Sequence, residues 1–396
     1  MLSFLCLLAI PFVGQSPDSL RLPEAVAFAR AHRGSLVAAT AAVDEARGVL
    51  SERRQLPNPV GTYTHSTDVP RQSATVQQSF DWLLSRGGSV GAGRALVARA
   101  RADLAGAGRD LARDVHAAFV GALAATEARR LAEAQLAVAD TLGRIAARRL
   151  AAGDIPAAEA DRLGLERILA LQTLSRARAE AARASLALAR TLGWPDGTAL
   201  PPLAGSLADG LERPAPAAPQ LTELPRIQSA LADSAAATAD ASSASWARFP
   251  LPTVEVGRQW DDADLPGKRL WTLGASIPIP LFNHGGGGAA AARARARIAS
   301  ADLLEARLGA RQALGEAKVQ LDEARLRARL ASDSLLPGAT RLRTRATRAY
   351  ALGETGALPL LEALRAEREI VAGALNDLLA YQEALADWNS LTGSTE

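Results

Sequence analysis

The residue types that most often do chemistry are sparse in this chain, and their spacing does not support a reaction. Four histidines, His32, His65, His116 and His284, are scattered and fit no metal-ligand spacing. His284 precedes a glycine run at 285–288, but no Lys-Ser or Lys-Thr follows to complete a phosphate loop. The single cysteine, Cys6, sits inside an N-terminal apolar run, so removal of that run leaves no thiol for disulfides or metal sites. Glu159 and Arg162 stand three residues apart, the spacing of an ordinary helix ion pair. No nucleophile, acid–base pair or cofactor loop is present. The expectation is a protein that catalyses nothing, with no cofactor and no metal site.

Duplication is the stronger signal. Arg148-Arg149-Leu150-Ala151-Ala152-Gly153-Asp154 returns about 200 residues later as Arg348-Ala349-Tyr350-Ala351-Leu352-Gly353-Glu354. Pro57-Asn58-Pro59 opens one pair of short alternating segments and Pro250-Leu251-Pro252 opens another, and Gly87 and Gly285 close them. Each pair precedes a long Ala/Arg-rich stretch. The chain therefore reads as two copies of a unit made of a helix, a strand pair and a long helical hairpin. The first repeat spans 16–200, a Pro-rich linker 201–223, and the second repeat 224–396. The hairpin turns fall at 153–156 and 353–356, where glycine frees the backbone.

Composition bounds the alternatives. Forty-five Lys and Arg against 42 Asp and Glu give a net charge of +3, and the charges are interleaved along helical stretches. That pattern marks solvated helix faces and argues against nucleic-acid binding. Residues 1–15 carry a short apolar run that reads as a signal peptide, and no later stretch reaches 18 consecutive apolar residues. After residue 88 no proline occurs until Pro156, and Leu104, Leu111, Val115, Phe119 and Leu123 recur at helical spacing. About 60 helical residues would run about 90 Å. Helix is also expected from Leu22 to Gln55 with a break near Gly34, and Pro337 should kink a second long helix that starts near Ala289.

The short segments switch to a period of two. Strands are expected at about 60–67, 75–84, 253–260 and 269–279. In the second, Val76, Phe80, Trp82 and Leu84 would share a face. In the third and fourth, Val254, Val256 and Trp260, then Trp271, Leu273, Ala275, Ile277 and Ile279, alternate with polar or small residues. Such segments suit outer-membrane strands, and a half-buried soluble sheet would alternate in the same way. Past residue 15 there are 14 aromatics, and eight of them lie within 56–88 or 246–284. Tyr63, Phe80, Trp82, Trp260 and Trp271 are the candidates for membrane-interface positions, because such rings are apolar with one polar handle.

The order and spacing of several motifs resemble the outer-membrane factor family, the TolC-like outer membrane efflux proteins. These motifs are Leu22-Pro23-Glu24-Ala25-Val26-Ala27, Leu56-Pro57-Asn58-Pro59, Ser276-Ile277-Pro278-Ile279-Pro280-Leu281-Phe282-Asn283 and Tyr350-Ala351-Leu352-Gly353-Glu354. The resemblance covers nearly all of the chain after residue 15, and the Pro-Ile-Pro-Leu-Phe-Asn-His-Gly stretch is most similar to members from cobalt–zinc–cadmium or copper–silver efflux systems. It implies a mainly α fold with a small transmembrane β part. Four strands per chain would join a homotrimeric 12-stranded β-barrel, continued by a periplasmic α-helical barrel. Four strands alone leave open edges that lipid forbids, so some oligomer is required.

The resemblance further implies an outer-membrane exit duct of a tripartite efflux system, passive, and served by a periplasmic adaptor (a membrane fusion protein) and an inner-membrane pump. The cargo would be small molecules or metal cations. Carried over, the adaptor-binding turns are Gly153, Asp154, Ile155, Gly353, Glu354 and Thr355. The tunnel aperture falls on Glu159, Arg162 and Glu362, with Pro359 an uncharged departure from the family's carboxylate ring. A type I secretion duct and a soluble periplasmic coiled-coil scaffold are the alternatives. The scaffold does not account for aromatic-rich strands at matching places in both repeats.

Overall fold

The computed structural model describes residues 19–68, 71–260 and 268–393. The expected signal peptide at 1–15 lies outside the described residues. The chain forms two compact units, neither of which coincides with a sequence repeat. One holds the chain up to Arg33, Arg109–Ala217 and the chain from Gly315 onward; the other holds Gly34–Gly108 and Ala218–Leu314.

The second of these contains a four-stranded antiparallel sheet in the order β1-β2-β3-β4, made of β1 (Val60–His65), β2 (Gln72–Ser79), β3 (Thr253–Trp260) and β4 (Arg269–Ser276). The two predicted strand pairs thus meet along β2 and β3, and β1 and β4 are left as edges. Three strands are shorter than expected from the sequence; β1 ends at His65 rather than near residue 67, and β2 begins earlier, at Gln72, as well as ending earlier. β2 stops at Ser79, where the Ser79 hydroxyl bonds the Asp81 carboxylate at 3.0 Å, and helix α3 (Trp82–Ala151) starts at once. Phe80 therefore lies beyond the strand, and Trp82 and Leu84 are helical rather than on a sheet face with Val76. An acidic residue beside a new helix N-terminus favours helix over strand. β4 ends at Ser276 because Pro278 and Pro280 have no N–H for a ladder.

The helices of this unit are α2 (Gly34–Arg54), the first part of α3, α5 (Pro225–Trp246) and the first part of α6 (Gly286–Leu330). A Cβ on Gly88 would come within 2.6 Å of the Ala239 carbonyl and the Ser243 nitrogen, so only glycine lets α3 cross α5 this closely. Arg99 spans the same crossing to Asp233 at 3.0 Å. The glycine run at 285–288 starts the second long helix. Gly285 takes φ +64°, and the other three form the first turn of α6.

The other unit holds α1 (Leu22–His32), the rest of α3, α4 (Ala157–Leu192), the remainder of α6, α7 (Leu336–Ala351) and α8 (Ala357–Thr392). A π-helical turn at Ala331–Leu335 joins α6 to α7. Pro337 offers no N–H to the carbonyl four residues back and its ring crowds that carbonyl, which explains why the regular α-helical ladder gives way to a π turn there. The linker is tied down through its backbone. Gln382 Nε2 donates to the Leu207 and Asp209 carbonyls at 2.9 and 2.8 Å, Arg325 Nη2 to Leu211 at 2.8 Å, and Trp388 Nε1 to Pro216 at 3.0 Å. With its amide so engaged, Gln382 Oε1 is left to meet His116 Nε2, 3.2 Å away on the stripe of α3 that also buries Leu111, Val115 and Phe119.

Candidate functional site: paired helix turns and a two-faced sheet

Both helical hairpins close with the same backbone. Gly153 has φ +77° and Gly353 has φ +78°. In the first, Gly153 N–H donates to Leu150 and Asp154 N–H to Arg149; in the second, Gly353 N–H donates to Tyr350 and Glu354 N–H to Ala349. This is the Schellman arrangement, which requires a left-handed residue and hence glycine. Gly153, Asp154, Gly353 and Glu354 are exposed, so the turns present them to solvent. Ile155 is not exposed. It is buried in a cluster with Leu142, Leu163, Tyr350, Ala357 and Leu360, and Thr355 is half-buried.

The side chains break the symmetry that the backbone keeps. Tyr350 is fully buried at 0% exposure, with Arg149 5.2 Å over its ring and donating to its carbonyl at 3.3 Å. Leu150, its counterpart 200 residues earlier, is 39% exposed. The Tyr350 hydroxyl lacks a well-formed hydrogen bond, and burial, then the nearby Glu159 carboxylate, push its pKa up against the lowering pull of Arg149.

The three aperture candidates separate. Glu159 does not pair with Arg162. Its Oε1 accepts the N–H of Ala357 at 3.1 Å, satisfying a free donor at the start of α8. The equivalent Pro359 has no side-chain acceptor to return the favour to α4. Arg162 and Glu362 are exposed on the opening turns of α4 and α8. Further along, α8 makes two partly buried ion pairs that the sequence did not flag. Arg368 meets Glu166 of α4, and Glu367 meets Arg343 of α7 at 3.2 Å. Burial raises the Glu367 pKa, against the lowering pull of Arg343 and Arg368.

In the sheet, the register sorts side chains by face. Gly61, Val76, Val256 and Leu273 are directly paired and share one side, as are Tyr63, Ala74, Arg258 and Trp271. Val76, Val256, Leu273, Tyr63 and Trp271 are all exposed there, giving an apolar face that no other element of the described residues covers. The opposite side carries Thr62, Thr64, Ser73, Thr75, Gln77, Glu255, Gln259 and Thr272, and Gln77 Nε2 donates to Glu255 at 2.6 Å. Buried Gly257 lies on that polar side, where a Cβ would fall 2.6 Å from Thr75 Cγ2. Of the interface aromatics, Tyr63 and Trp271 are exposed on the apolar side, and half-buried Trp260 shares it. Half-buried Trp82 belongs to α3, where its Nε1 donates to Ser79 at 3.0 Å.

One residue of this face was legible and overlooked. Period two from Val254 and Val256 lands on Arg258, which places an arginine on the apolar side. Among the described residues, no group of three or more His, Cys, Asp or Glu could hold a metal ion, and no helix is long and apolar enough to cross a membrane. Neither fact bears on a β-barrel.

Known proteins resemble the chain in sequence and in fold. Residues 220–394 match the family described as outer membrane efflux protein. Over 362 residues the chain is 27% identical to the cobalt-zinc-cadmium resistance protein CzcC of Cupriavidus metallidurans, covering 89% of this chain and 85% of that protein. The fold superposes on CusC with a TM-score of 0.77 at 17% identity, covering 94% of this chain and 92% of that one. It also matches a membrane protein from Pseudomonas aeruginosa, with a TM-score of 0.78 at 19% identity over 94% and 93% of the two chains.

Proposed function

We propose that this chain, which belongs to the outer membrane efflux protein family, is the passive exit duct of a tripartite efflux system in the bacterial outer membrane. The observation that carries this reading is the sheet, with one exposed apolar face, one polar face and two open edges. In lipid an open edge strands backbone N–H and C=O groups that have no water to bond, so the edges must meet those of other copies. Three copies supply twelve strands, an even number within the range of closed outer-membrane barrels. The apolar face then meets lipid and the polar face lines the bore. The repeats 16–200 and 224–396, joined by the linker 201–223, each contribute one strand pair and one long helical hairpin, and the hairpins build a periplasmic tunnel.

On this reading the exposed turn residues Gly153, Asp154, Gly353 and Glu354 meet a periplasmic adaptor, which links the duct to an inner-membrane pump. Ile155 and Thr355 shape those turns from within. Glu362, exposed beside the second turn, places one carboxylate per copy at the aperture, where symmetric copies concentrate negative potential. Glu159 acts there chiefly as a helix cap, and Arg162 stands exposed nearby. Similarity to a cobalt-zinc-cadmium resistance protein makes divalent transition-metal cations the favoured cargo.

Fractionation without detergent, followed by conductance of the purified protein in planar bilayers, tests the reading. Retention in the outer-membrane fraction and a channel whose cation preference falls in Glu362→Lys are expected. Release into the soluble periplasmic extract would refute the duct and favour the scaffold.

A further inference from the structure

Arg258 is the one strongly basic residue in the middle of the apolar face, and among the described residues of that face it has no counter-charge. Among the described residues no carboxylate pairs with it, and its Nε is buried without a hydrogen-bond partner. Its guanidinium lies 4.6 Å over the Trp271 ring, which holds the side chain flat on the outward side of β3 and β4. Ala74 is its neighbour on β2, and Tyr63 follows on β1. Adjacent strands are about 4.8 Å apart, so Tyr63 and Arg258 stand roughly 10 Å apart on either side of a methyl floor. The next row toward the hairpin loops brings His65, Trp260 and Arg269 to the same side. No carboxylate occupies this face among the described residues.

A charge on a lipid-facing surface is costly unless it is paired or sits at the headgroup level. Arginine's planar fork suits a phosphate better than any neutral group, and Tyr63 adds an exposed hydroxyl donor across the dip. We propose that Tyr63, Arg258 and Trp271 form a binding site over Ala74 for the phosphate of an outer-membrane lipid headgroup. Arg269 adds long-range attraction from the adjoining row. The site rests on the exit-duct reading, because it requires the apolar face to meet lipid. It also places the loop ends of the strands at a headgroup layer, with the Val76–Val256–Leu273 row in hydrocarbon.

The test uses the full-length protein purified in neutral detergent, with lipid A, dephosphorylated lipid A and inorganic phosphate as separate probes read by native mass spectrometry. Wild type should retain lipid A and bind the dephosphorylated form much more weakly. Arg258→Gln should weaken lipid A retention about tenfold, the effect of losing one charge-assisted hydrogen bond. Arg258→Lys should fall between the two, and Tyr63→Phe should lose less while keeping the fold. Lipid A held equally by wild type, Arg258→Gln and Tyr63→Phe would overturn the site. Full displacement of lipid A by millimolar inorganic phosphate would make the ligand a free anion and overturn the lipid assignment. A protein that needs no detergent would instead sink the duct reading itself.

Discussion

The two hairpin turns have one backbone and two different interiors. At Gly153 and Gly353 the dihedral angles and hydrogen bonds are nearly superimposable, yet the residue three before each glycine is an exposed leucine in one and a fully buried tyrosine in the other. Glu159 reaches across to cap α8, and Pro359 cannot reciprocate. Glycine geometry is therefore what both copies share, while packing and capping have been concentrated on one side. A turn whose backbone is fixed twice over can present the same exposed atoms from two unlike cores. That is what a duct needs if each repeat offers a similar surface to a partner.

The largest test of this contrast is truncation of the two counterparts. Tyr350→Ala should destabilise by about 3–5 kcal/mol, the cost of emptying a large buried site. Leu150→Ala should cost under about 1 kcal/mol, since its side chain is already partly in water. Thermal unfolding in neutral detergent reads both, and equal losses would erase the contrast. Tyr350→Phe sharpens it. The hydroxyl lacks a well-formed hydrogen bond, so its removal should be neutral or stabilising.

Gly153→Ala and Gly353→Ala should cost alike, about 1–2 kcal/mol each, because both sit in a left-handed backbone where a Cβ is strained. A large difference between them would mean the turns are not equivalent in backbone. Glu159→Ala should cost about 1 kcal/mol through the lost cap and should loosen α8 rather than α4. Hydrogen exchange at Ala357 is the direct readout. Pro359→Ala should leave amide exchange in the first turn of α4 unchanged.

The smallest expected effect lies outside the turns and serves as their control. Burial lowers the His116 pKa, with only partial opposition from the Gln382 hydrogen bond. Its neutral form is the one the fold accommodates, so the associated stability is fully present above the unfolded value near 6.5. It is lost as pH falls below that value toward the depressed folded pKa. Unfolding measured from pH 7.5 to 5 should show this acid loss in wild type. His116→Gln should flatten it without altering either turn.

Much of this architecture was legible because duplication repeats its own signals. Gly153 and Gly353, the proline pairs before β1 and β3, and the break at Gly34 all sit where a change of backbone is forced. The strand ends were less legible. Alternation continued through Phe80, Trp82 and Leu84, but Ser79 and Asp81 engage each other and a helix begins at Trp82. Alternation also continued through Ile277 and Ile279, where the intervening prolines remove the ladder donors. Glu159 shows the limit most clearly. Its local partner at i+3 was visible in the sequence, while its actual partner is an N–H 198 residues away. The asymmetry of Tyr350 and Leu150 depends on which helix face meets a neighbour, and a single helix period does not reveal that.

The central claim, that edges β1 and β4 close against other copies, is open to one direct measurement. The chain has no cysteine after Cys6, so a cysteine walked along β1 can be paired with one walked along β4 without background. Oxidation of the membrane-embedded protein should give covalent species of two and three protomers and nothing larger, with the cross-linked cysteines falling in an antiparallel register. Cross-links confined to single chains, or a ladder extending past three protomers, would contradict a closed three-copy barrel.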